Sequence, residues 1–395
     1  MRQSSGAAWK SSEQDSDGCT DRGDVSASGF GRITVPDELM LRTIEKAREA
    51  LRARPRVRLA ELPTPLSYCR RLSEKLGGPR IYVKRDDLTG LAFGGNKVRQ
   101  HEYVLGAAIA QGADCLVQGA AAQSNHSRQL AAAGARLGLE TYLLPKLDAR
   151  SHPVQGNLLV DHLLGAEIAP IGASDSSIQA KNALVERLRA DGRHPYVTGM
   201  GSDEALALAA LSYVEGLFET VEQLPAGISP AAIYTASQGS TQVGLLVARE
   251  ILGLETEIVG VSPMGAEHEA AIPIEDIVAM AHAVADMLGI STALCADDVE
   301  LRGEFVGDGY GIPTAAGLDA LALLGATEGI LLDPVYTAKA FSGLVHDIRN
   351  NRFGSDDTVV FLHTGGLPAL FAYAEAVLAH LDSHRSITHQ PTEGK

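Results

Sequence analysis

Strand-like and helix-like apolar segments alternate from about residue 36 onwards, and this alternation limits the fold more than any other feature of the chain. Gly138 and Gly253 each follow a helix-like segment, at the position where glycine commonly ends a helix. The predicted elements are strands at residues 114–118, 141–144, 232–235, 257–261, 330–332 and 358–362, and helices at 124–137 and 241–252. Strands that alternate with helices predict an α/β fold with a largely parallel sheet.

Polar or glycine-rich strings follow the predicted strands. Examples are residues 123–128, 235–242, 333–337 and 363–366. In open α/β sheets, ligands bind beyond the carboxyl ends of the strands. We therefore expect these strings to meet at one crevice, although they lie far apart in the sequence.

The composition is that of a globular chain long enough to bury a full core, with 395 residues, 45% of them hydrophobic and 21% charged. A formal net charge of -15 argues against a nucleic-acid partner, which would require clustered Lys and Arg. No apolar run approaches the ~20 residues of a membrane span, and the N-terminus lacks the apolar core of a signal peptide. These features predict a cytoplasmic protein without a membrane partner.

The cysteines indicate neither a metal site nor a disulfide framework. They form no CxxC string and no Cys/His spacing typical of zinc ligands. The four cysteines are Cys19, Cys69, Cys115 and Cys295. No metal is therefore predicted.

Lys97 ends the string FGGNK at residues 93–97. Two glycines let the backbone come close to a flat ring and partly bury the amine, which lowers its pKa and makes it nucleophilic. Such a lysine can form a Schiff base with the aldehyde of pyridoxal phosphate (PLP), and the string QSNHSR at 123–128 offers groups that could hold a phenolic oxygen and a carboxylate beside it. Taken alone, a glycine-flanked lysine is more typical of a surface turn that ends at a solvated lysine.

The string TASQGSTQ at residues 235–242 lies between a predicted strand and a predicted helix. Unpaired backbone amides and the positive end of the helix dipole can bind a phosphate there, and Ser237, Ser240 and Thr241 can add hydroxyl donors. The string matches neither of the glycine-rich patterns of nucleotide-binding proteins. A capped helix start without a ligand is the alternative that this string leaves open.

Three polar side chains in the carboxyl-terminal half are candidates for contact with a flat ligand. Tyr310 lies between two glycines, and Tyr336 lies near the start of a predicted helix, where the dipole favours a phenolate. Either tyrosine could instead be a packed surface residue. Thr364 could cap the helix that begins near Leu367, or donate to a ring nitrogen.

Together, these strings and their order resemble the PLP-dependent fold-type II family that contains D-cysteine desulfhydrase and 1-aminocyclopropane-1-carboxylate deaminase. The similarity spans roughly residues 36 to 380. The matching strings are YVKRDDL (82–88), GGNK (94–97), QSNH (123–126), GSTQ (239–242), GYG (309–311), DPVY (333–336) and HTGGLPALF (363–371). The resemblance implies a tryptophan synthase β-like fold, with two open parallel-sheet domains and the cofactor between them.

The resemblance also implies roles for individual residues. Lys97 would carry the cofactor as a Schiff base, and Asn125 would face its ring hydroxyl. The phosphate would be bound by Ser237, Gln238, Gly239, Ser240 and Thr241. The substrate carboxylate site would be lined by Gln123, Ser124 and His126. Tyr310 and Tyr336 would flank the ring and the substrate, which makes them, with Lys97 and Ser124, the predicted catalytic residues.

Residue 337 separates members of this family. The deaminases are expected to carry Glu after the tyrosine of the DPVY string, where the carboxylate pairs with the pyridine nitrogen, whereas this chain has Thr337. A carboxylate keeps the ring nitrogen protonated, and a neutral hydroxyl does not. Thr337, with Thr364 as a second hydroxyl, therefore predicts β-elimination of a good leaving group over the opening of a cyclopropane.

The resemblance thus predicts a PLP-dependent lyase acting on a small amino acid, with D-cysteine converted to pyruvate, ammonia and hydrogen sulfide. The alternatives are a 1-aminocyclopropane-1-carboxylate deaminase, an L-cysteate sulfo-lyase or another lyase of β-substituted alanines. A non-catalytic PLP-binding protein is a more remote alternative.

The predicted organisation follows from the same resemblance. A disordered extension at 1–35, rich in Ser, Gly and Asp, precedes a large domain formed by 36–93 and 211–385. The small domain is predicted at 94–210, and a flexible tail at 386–395. Fold-type II relatives are commonly homodimers, so a homodimer is expected.

Overall fold

The computed structural model describes residues 38–147, 154–172, 174–199, 202–237 and 239–388. The predicted N-terminal extension, Gln238 and residues 389–395 of the predicted tail lie outside these residues. None of the helices within these ranges is both long and apolar enough to cross a bilayer.

Strands and helices alternate along most of the described chain. Strands β1 to β11 are Leu66–Tyr68, Arg80–Lys84, Cys115–Ala121, Glu140–Leu147, Glu167–Ile168, Ile171–Gly172, Pro195–Val197, Ala232–Ala236, Glu257–Val261, Glu300–Arg302 and Thr358–Leu362. Helices α1 to α13 are Glu38–Ala53, Arg70–Leu76, Asn96–Ala110, Asn125–Leu137, Gly156–Leu163, Ser177–Ala190, Asp203–Gln223, Ser240–Ile251, Ile274–Leu288, Ala315–Glu328, Thr337–Arg349, Leu367–Ala372 and Ala374–Thr388.

The strands form two sheets. The larger has the order β1-β2-β11-β8-β9-β10 and is parallel except for the antiparallel pair β1 and β2. The smaller has the order β5-β4-β3-β7, with β6 also paired to β4, and all of these pairs are parallel. Parallel neighbours need crossover connections, which the helices supply. The predicted α/β fold with open parallel sheets is confirmed, while the exact domain boundaries stay predictions.

Helix ends follow the predicted signals closely. Ser124 caps α4, with its Oγ accepting the N–H of Ser127 at 3.2 Å, and Gly138 ends the helix in the left-handed region at φ 73°. The predicted helix at 241–252 is α8, displaced by one residue, and Gly253 follows it with φ 58°. These predictions are confirmed within the usual uncertainty of helix ends.

The strand predicted at residues 330–332 does not form. Ile330 and Leu332 are buried and Leu331 is 48% exposed, as in an extended segment, but no strand pairs with it. Both edges of β11 are already occupied by β2 and β8, and the Leu331 carbonyl lies 3.0 Å from Nε2 of His363 instead. An apolar pattern predicts extension, but ladder formation also requires a free neighbouring edge.

The last helix also differs from the prediction. It continues to Thr388 and so includes three residues that the sequence boundary assigned to the flexible tail at 386–395. Residues 374–388 contain neither Gly nor Pro, so nothing in the local sequence ends the helix earlier.

Alternate residues of the central strand β11 face two different cores. Val360 and Leu362 pack with α3, α7 and α8, whereas Val359 and Phe361 pack with α10 and α11. Burial of one such aromatic side chain contributes about 1.5–3 kcal/mol. Helices on both faces hold this sheet rigidly, and the carboxyl ends of its strands therefore provide a firm base for a site.

Candidate active site

A cavity of about 850 Å³ lies where the carboxyl ends of strands from both sheets meet. The loops after β3, β8 and β11 all contribute to its wall. Eleven of the predicted site residues line it: Lys97, Ser124, Asn125, His126, Ser237, Gly239, Ser240, Thr241, Tyr310, Tyr336 and Thr364. Residues from distant parts of the sequence are thus brought to one crevice, as expected from the topology.

The turn before Lys97 requires glycine at two successive positions. Gly94 has φ 63° and Gly95 has φ 124°. A Cβ on Gly94 would lie 2.1 Å from the carbonyl oxygen of Asp87, and one on Gly95 would lie 2.5 Å from Nε2 of Gln129. The two glycines therefore pack closely against neighbouring atoms inside the protein, and the alternative of a solvated surface turn is wrong.

Lys97 is the second residue of α3 and projects into the cavity. Burial lowers the pKa of its amine from 10.5 to about 8. The positive end of the helix dipole acts in the same direction, because it disfavours a cation in the first turn. An amine with this pKa is neutral in a useful fraction of molecules near pH 7.

The loop between β8 and α8 presents the start of a helix to the cavity. Gly239 occupies the N-cap of α8 with φ 157°, and no side chain caps the helix at that position. Ser237 Oγ accepts the N–H of Gln242 at 3.2 Å, one turn into the helix. The first amides of α8 and the dipole of its 12 residues are therefore directed at the cavity, which fits a phosphate.

Thr241 connects this loop to the lysine helix. Its Oγ1 accepts from Asn96 Nδ2 at 3.2 Å and from Gln100 Nε2 at 3.0 Å. A hydroxyl oxygen has two lone pairs, and both are used here. The hydroxyl proton of Thr241 is consequently left to donate elsewhere, and the residue lines the cavity.

Two of the three residues predicted to bind the substrate carboxylate line the cavity. Ser124 and His126 line the cavity, but Gln123 does not. Gln123 Oε1 accepts the N–H of Asn157 at 2.9 Å, and its Nε2 donates to the Gln155 carbonyl at 3.0 Å. The assignment of Gln123 to the substrate is therefore not supported, because its whole amide is used to fix the start of α5.

Two buried imidazoles stand beside Lys97. The rings of His101 and His126 are 4.9 Å apart, and burial lowers the pKa of each, that of His101 to about 3. Both side chains therefore stay neutral and add no charge that would compete with the Lys97 amine. His101 is not among the predicted site residues, although its position four residues after Lys97 on a helix places both on one face.

Tyr310 and Tyr336 meet at their hydroxyl groups, with ring centroids 5.9 Å apart. Burial and the neighbouring Tyr310 raise the pKa of Tyr336 well above its ordinary value, so that this phenol keeps its proton. Lys339 holds the Tyr310 loop in place, because its Nζ donates to the carbonyls of Val306 at 2.7 Å and Gly309 at 3.0 Å. The pair can donate a proton into the cavity.

The two predicted threonines have different surroundings. Thr364 lines the cavity, and its backbone carbonyl accepts the N–H of Asn96 at 3.0 Å. Thr337 is fully buried, does not line the cavity, and bonds through its hydroxyl to Asp333. Thr364 does not cap α12, whose N-cap is Gly366. Of the two hydroxyls, only that of Thr364 is in a position to face a ligand.

The chain belongs to the pyridoxal-phosphate dependent enzyme family, whose model matches residues 57–365. Its fold is that of the fold-type II members, and PLP is its cofactor. The observed groups fit this cofactor: a lysine whose pKa is lowered to about 8, a glycine-lined approach, and a helix N-terminus for the phosphate. The predicted cofactor, enzyme class and fold-type II fold are confirmed.

Individual relatives and solved structures are similar to most of this chain. The D-cysteine desulfhydrases of Salmonella schwarzengrund (strain CVM19633) and Salmonella typhi are each 39% identical over 325 residues, which cover 81% of this chain and 96% of the relative. A solved structure of an ACC deaminase homologue is 32% identical, with a TM-score of 0.77, and covers 85% of this chain and 99% of its own. The processed form of threonine deaminase isoform 2 from Solanum lycopersicum, at 17% identity and a TM-score of 0.58, shares the fold over 89% of this chain and 91% of its own.

Proposed function

We propose that this enzyme catalyses β-elimination on a small amino acid, with D-cysteine converted to pyruvate, ammonia and hydrogen sulfide. The observation that carries this proposal is the neutral hydroxyl of Thr364 at the cavity wall, together with a buried threonine at position 337, where the deaminases are expected to carry Glu. A neutral partner does not enforce a protonated ring nitrogen, which suffices for a good leaving group such as hydrosulfide. The similarity to the Salmonella desulfhydrases supports the same substrate.

Bound PLP supplies an electron sink that stabilises negative charge at the substrate Cα. Lys97 is proposed to hold the cofactor and then to take the Cα proton with its freed amine. At a pKa of about 8, roughly a tenth of such amines are neutral at pH 7, against about three in ten thousand at 10.5. Burial of Lys97 therefore raises the reactive fraction by more than two orders of magnitude.

The phosphate is proposed to be held by the start of α8. Ser237, Gly239, Ser240 and Thr241 carry the backbone and hydroxyl donors, and Gln238 belongs to the same proposed set. The free hydroxyl proton of Thr241 supports this role, because both lone pairs of its oxygen are already used. The same hydroxyl fixes α3, so the phosphate site and Lys97 are held at a constant separation.

Polar groups at the opposite wall are proposed to orient the ring and the substrate. Asn125 would donate to the ring oxygen, and Thr364 would face the ring nitrogen. Ser124 and His126 would bind the substrate carboxylate, with Ser124 donating through its hydroxyl while its oxygen caps α4. These assignments are supported by the position of all four side chains at the cavity wall.

Tyr336 is proposed to give a proton to the departing β substituent, with Tyr310 as its hydrogen-bond partner. The raised pKa of Tyr336 keeps the donor protonated over the whole range in which Lys97 becomes neutral. A proton on the leaving group lowers the barrier to its expulsion. The contact between the two hydroxyls would allow the proton to be replaced from Tyr310.

The test is a product analysis on the purified, PLP-loaded protein. D-cysteine, L-cysteine, L-cysteate and 1-aminocyclopropane-1-carboxylate would be supplied separately, and pyruvate, 2-oxobutyrate, sulfide and sulfite measured. Pyruvate and sulfide from D-cysteine at the highest kcat/KM support the proposal. Production of 2-oxobutyrate as the main activity would instead establish the second candidate, a deaminase, which the ACC deaminase homologue favours.

We also propose that the enzyme is a cytoplasmic homodimer. Leu163 on α5 and Phe371 on α12 are 77% and 63% exposed, and these two helices pack against each other. Exposed apolar side chains on two packed helices favour burial against a second copy. Light scattering should give a molar mass of twice that of one chain. The double variant Leu163→Glu, Phe371→Glu should have the mass of a single chain. A parent protein with the mass of a single chain would contradict the proposal.

A further inference from the structure

Asn157, the second residue of α5, is completely buried and hydrogen-bonded through its whole side chain, although it does not line the cavity. Its Oδ1 accepts from Arg128 Nε at 2.7 Å. Its Nδ2 donates to Asn125 Oδ1 at 2.9 Å and to the Gln123 carbonyl at 2.8 Å. A side chain so fully bonded can hold only one orientation.

The orientation of this amide is set by Arg128. A guanidinium has donors and no acceptor, so the atom of Asn157 that faces Nε must be the oxygen. Nδ2 of Asn157 therefore points to Asn125, and the atom of Asn125 that meets this donor must be its own oxygen. The Nδ2 of Asn125 is left as the end of that side chain available to the cavity.

Arg128 also binds the turn that precedes Lys97. Its Nη1 contacts the carbonyl of Ala92, and its Nη2 donates to the carbonyl of Gly94 at 3.1 Å. Ala92 has φ 44°, which a residue with a side chain rarely adopts, so this turn needs an external partner. Burial lowers the pKa of Arg128 only to about 10, which leaves the guanidinium charged at neutral pH.

We propose that Arg128 and Asn157 are positioning residues that fix Asn125 as a hydrogen-bond donor to the ring oxygen of PLP. The inference rests on the proposed placement of Asn125 beside that oxygen. A reversed Asn125 amide would present an acceptor to a ring phenolate, and two acceptors repel each other. The buried guanidinium of Arg128 thereby orients Asn125 through Asn157 and, at the same time, holds the turn that precedes Lys97.

Asn157→Asp tests the orientation directly. The carboxylate still accepts from Arg128, but its other oxygen can only accept from Asn125, which must turn its Nδ2 away from the cavity. In the PLP-loaded protein, we expect the ratio of the form with a protonated ring oxygen to the deprotonated form to rise about tenfold, equivalent to one pKa unit. The near-ultraviolet and visible absorbance bands measure this ratio. Asn157→Ser, which replaces the amide by a shorter hydroxyl side chain without adding charge, is the second variant if the first does not fold.

A double-mutant cycle separates this role from a structural one. If Asn157 acts through Asn125, Asn157→Asp should change the ratio in the parent and leave it unchanged in an Asn125→Ala background. Asn182→Asp, at an exposed position of α6, is the control for the added charge and should leave the ratio as in the parent.

Three results would overturn the inference. The first is a ratio of protonated to deprotonated ring oxygen in Asn157→Asp and Asn157→Ser that equals the ratio in the parent protein. The second is a change of this ratio by Asn157→Asp that is equally large in the parent and in the Asn125→Ala background. The third is an unchanged ratio in Asn125→Ala itself, which would mean that Asn125 does not face the ring oxygen. The readout is the spectrum of the bound cofactor, so a failure to turn over D-cysteine would overturn the proposed substrate and leave this result intact.

Discussion

Thr337 and Asp333 complete each other's hydrogen bonds at the buried start of α11. The Thr337 hydroxyl donates to Asp333 Oδ1 at 2.7 Å and accepts the Asp333 N–H at 2.8 Å. A threonine bonded in this way has no donor left for a ring nitrogen. We therefore propose Thr364, which follows β11, as the neutral hydroxyl at the cofactor.

Valine substitutions should separate the roles of the two threonines. Thr337→Val leaves the buried N–H of Asp333 without the hydroxyl that accepts it and should lower the free energy of unfolding by about 1–3 kcal/mol. Thr364→Val removes a hydroxyl at the cavity and should lower kcat/KM about tenfold or more with little change in stability. Urea unfolding and steady-state assays measure both quantities; equal stability losses, or a larger catalytic loss in Thr337→Val, would contradict the assignment.

Lys97→Ala should abolish turnover and the visible absorbance band of the lysine-bound cofactor together. No other residue is proposed to attach the cofactor, and the proton acceptor is lost as well. Lys75→Ala, at an exposed lysine of α2, is the matched control and should keep both properties. A Lys97→Ala protein that retained the band would show that another amine holds the cofactor.

Loading of the apoenzyme with PLP should depend on pH through the Lys97 amine. Only the neutral amine attacks the aldehyde, and burial places its pKa at about 8, below the ordinary 10.5. The second-order rate constant should therefore rise about tenfold per pH unit below that value and level off above it. Stopped-flow absorbance measures the rate, and a midpoint near that of a free lysine would mean that the amine is not desolvated.

Loss of the Tyr336 hydroxyl should affect the chemical step more than binding. Tyr336→Phe should lower kcat about a hundredfold with a smaller change in KM, because a proton donor acts in the transition state. Tyr310→Phe should have a weaker effect if it only returns the proton. Tyr68→Phe, at a half-exposed tyrosine, controls for loss of a phenol. A parental kcat in both active-site variants would remove the pair from the mechanism.

Gly95→Ala should cost far more stability than the same change at Gly112. Both glycines have positive φ, but a Cβ on Gly112 meets no atom within 4 Å, whereas one on Gly95 lies 2.5 Å from Gln129. We expect Gly112→Ala to lower the free energy of unfolding by about 1–2 kcal/mol through backbone strain alone. Gly95→Ala should lower it further and should also reduce PLP occupancy. Thermal unfolding with and without PLP tests this; equal losses would mean that Gln129 moves freely.

The sequence predicts local elements and strand-end loops well, because both depend on short-range patterns. The caps at Ser124 and Gly138 and the approach of Gly94 and Gly95 are examples. The strand expected at 330–332 fails for a non-local reason, since pairing depends on whether a neighbouring strand has a free edge. Edge occupancy is a property of the folded sheet and leaves no local signal.

Side-chain orientation is the second quantity that the sequence does not determine. Thr337 and Gln123 have suitable chemistry at suitable positions, yet Thr337 turns towards Asp333 of its own string and Gln123 turns towards the start of α5. Asn157 shows the reverse case, because it belongs to no recognisable string and gains its importance from Arg128 and Asn125. Hydrogen-bond partners that lie about 30 residues apart become visible only when the chain is folded.

Gly95 and Gly365 touch through bare backbone, with the Cα of Gly95 only 2.7 Å from where a Cβ of Gly365 would stand. The N–H of Asn96 also binds the carbonyl of Thr364 at 3.0 Å. We therefore expect the lysine turn and the end of β11 to move together. α4 is tied to the same turn through Arg128, so we expect closure of the cavity around a substrate to come from elements that do not bind the turn, such as α6. Product release should then leave the proposed seat of the cofactor undisturbed.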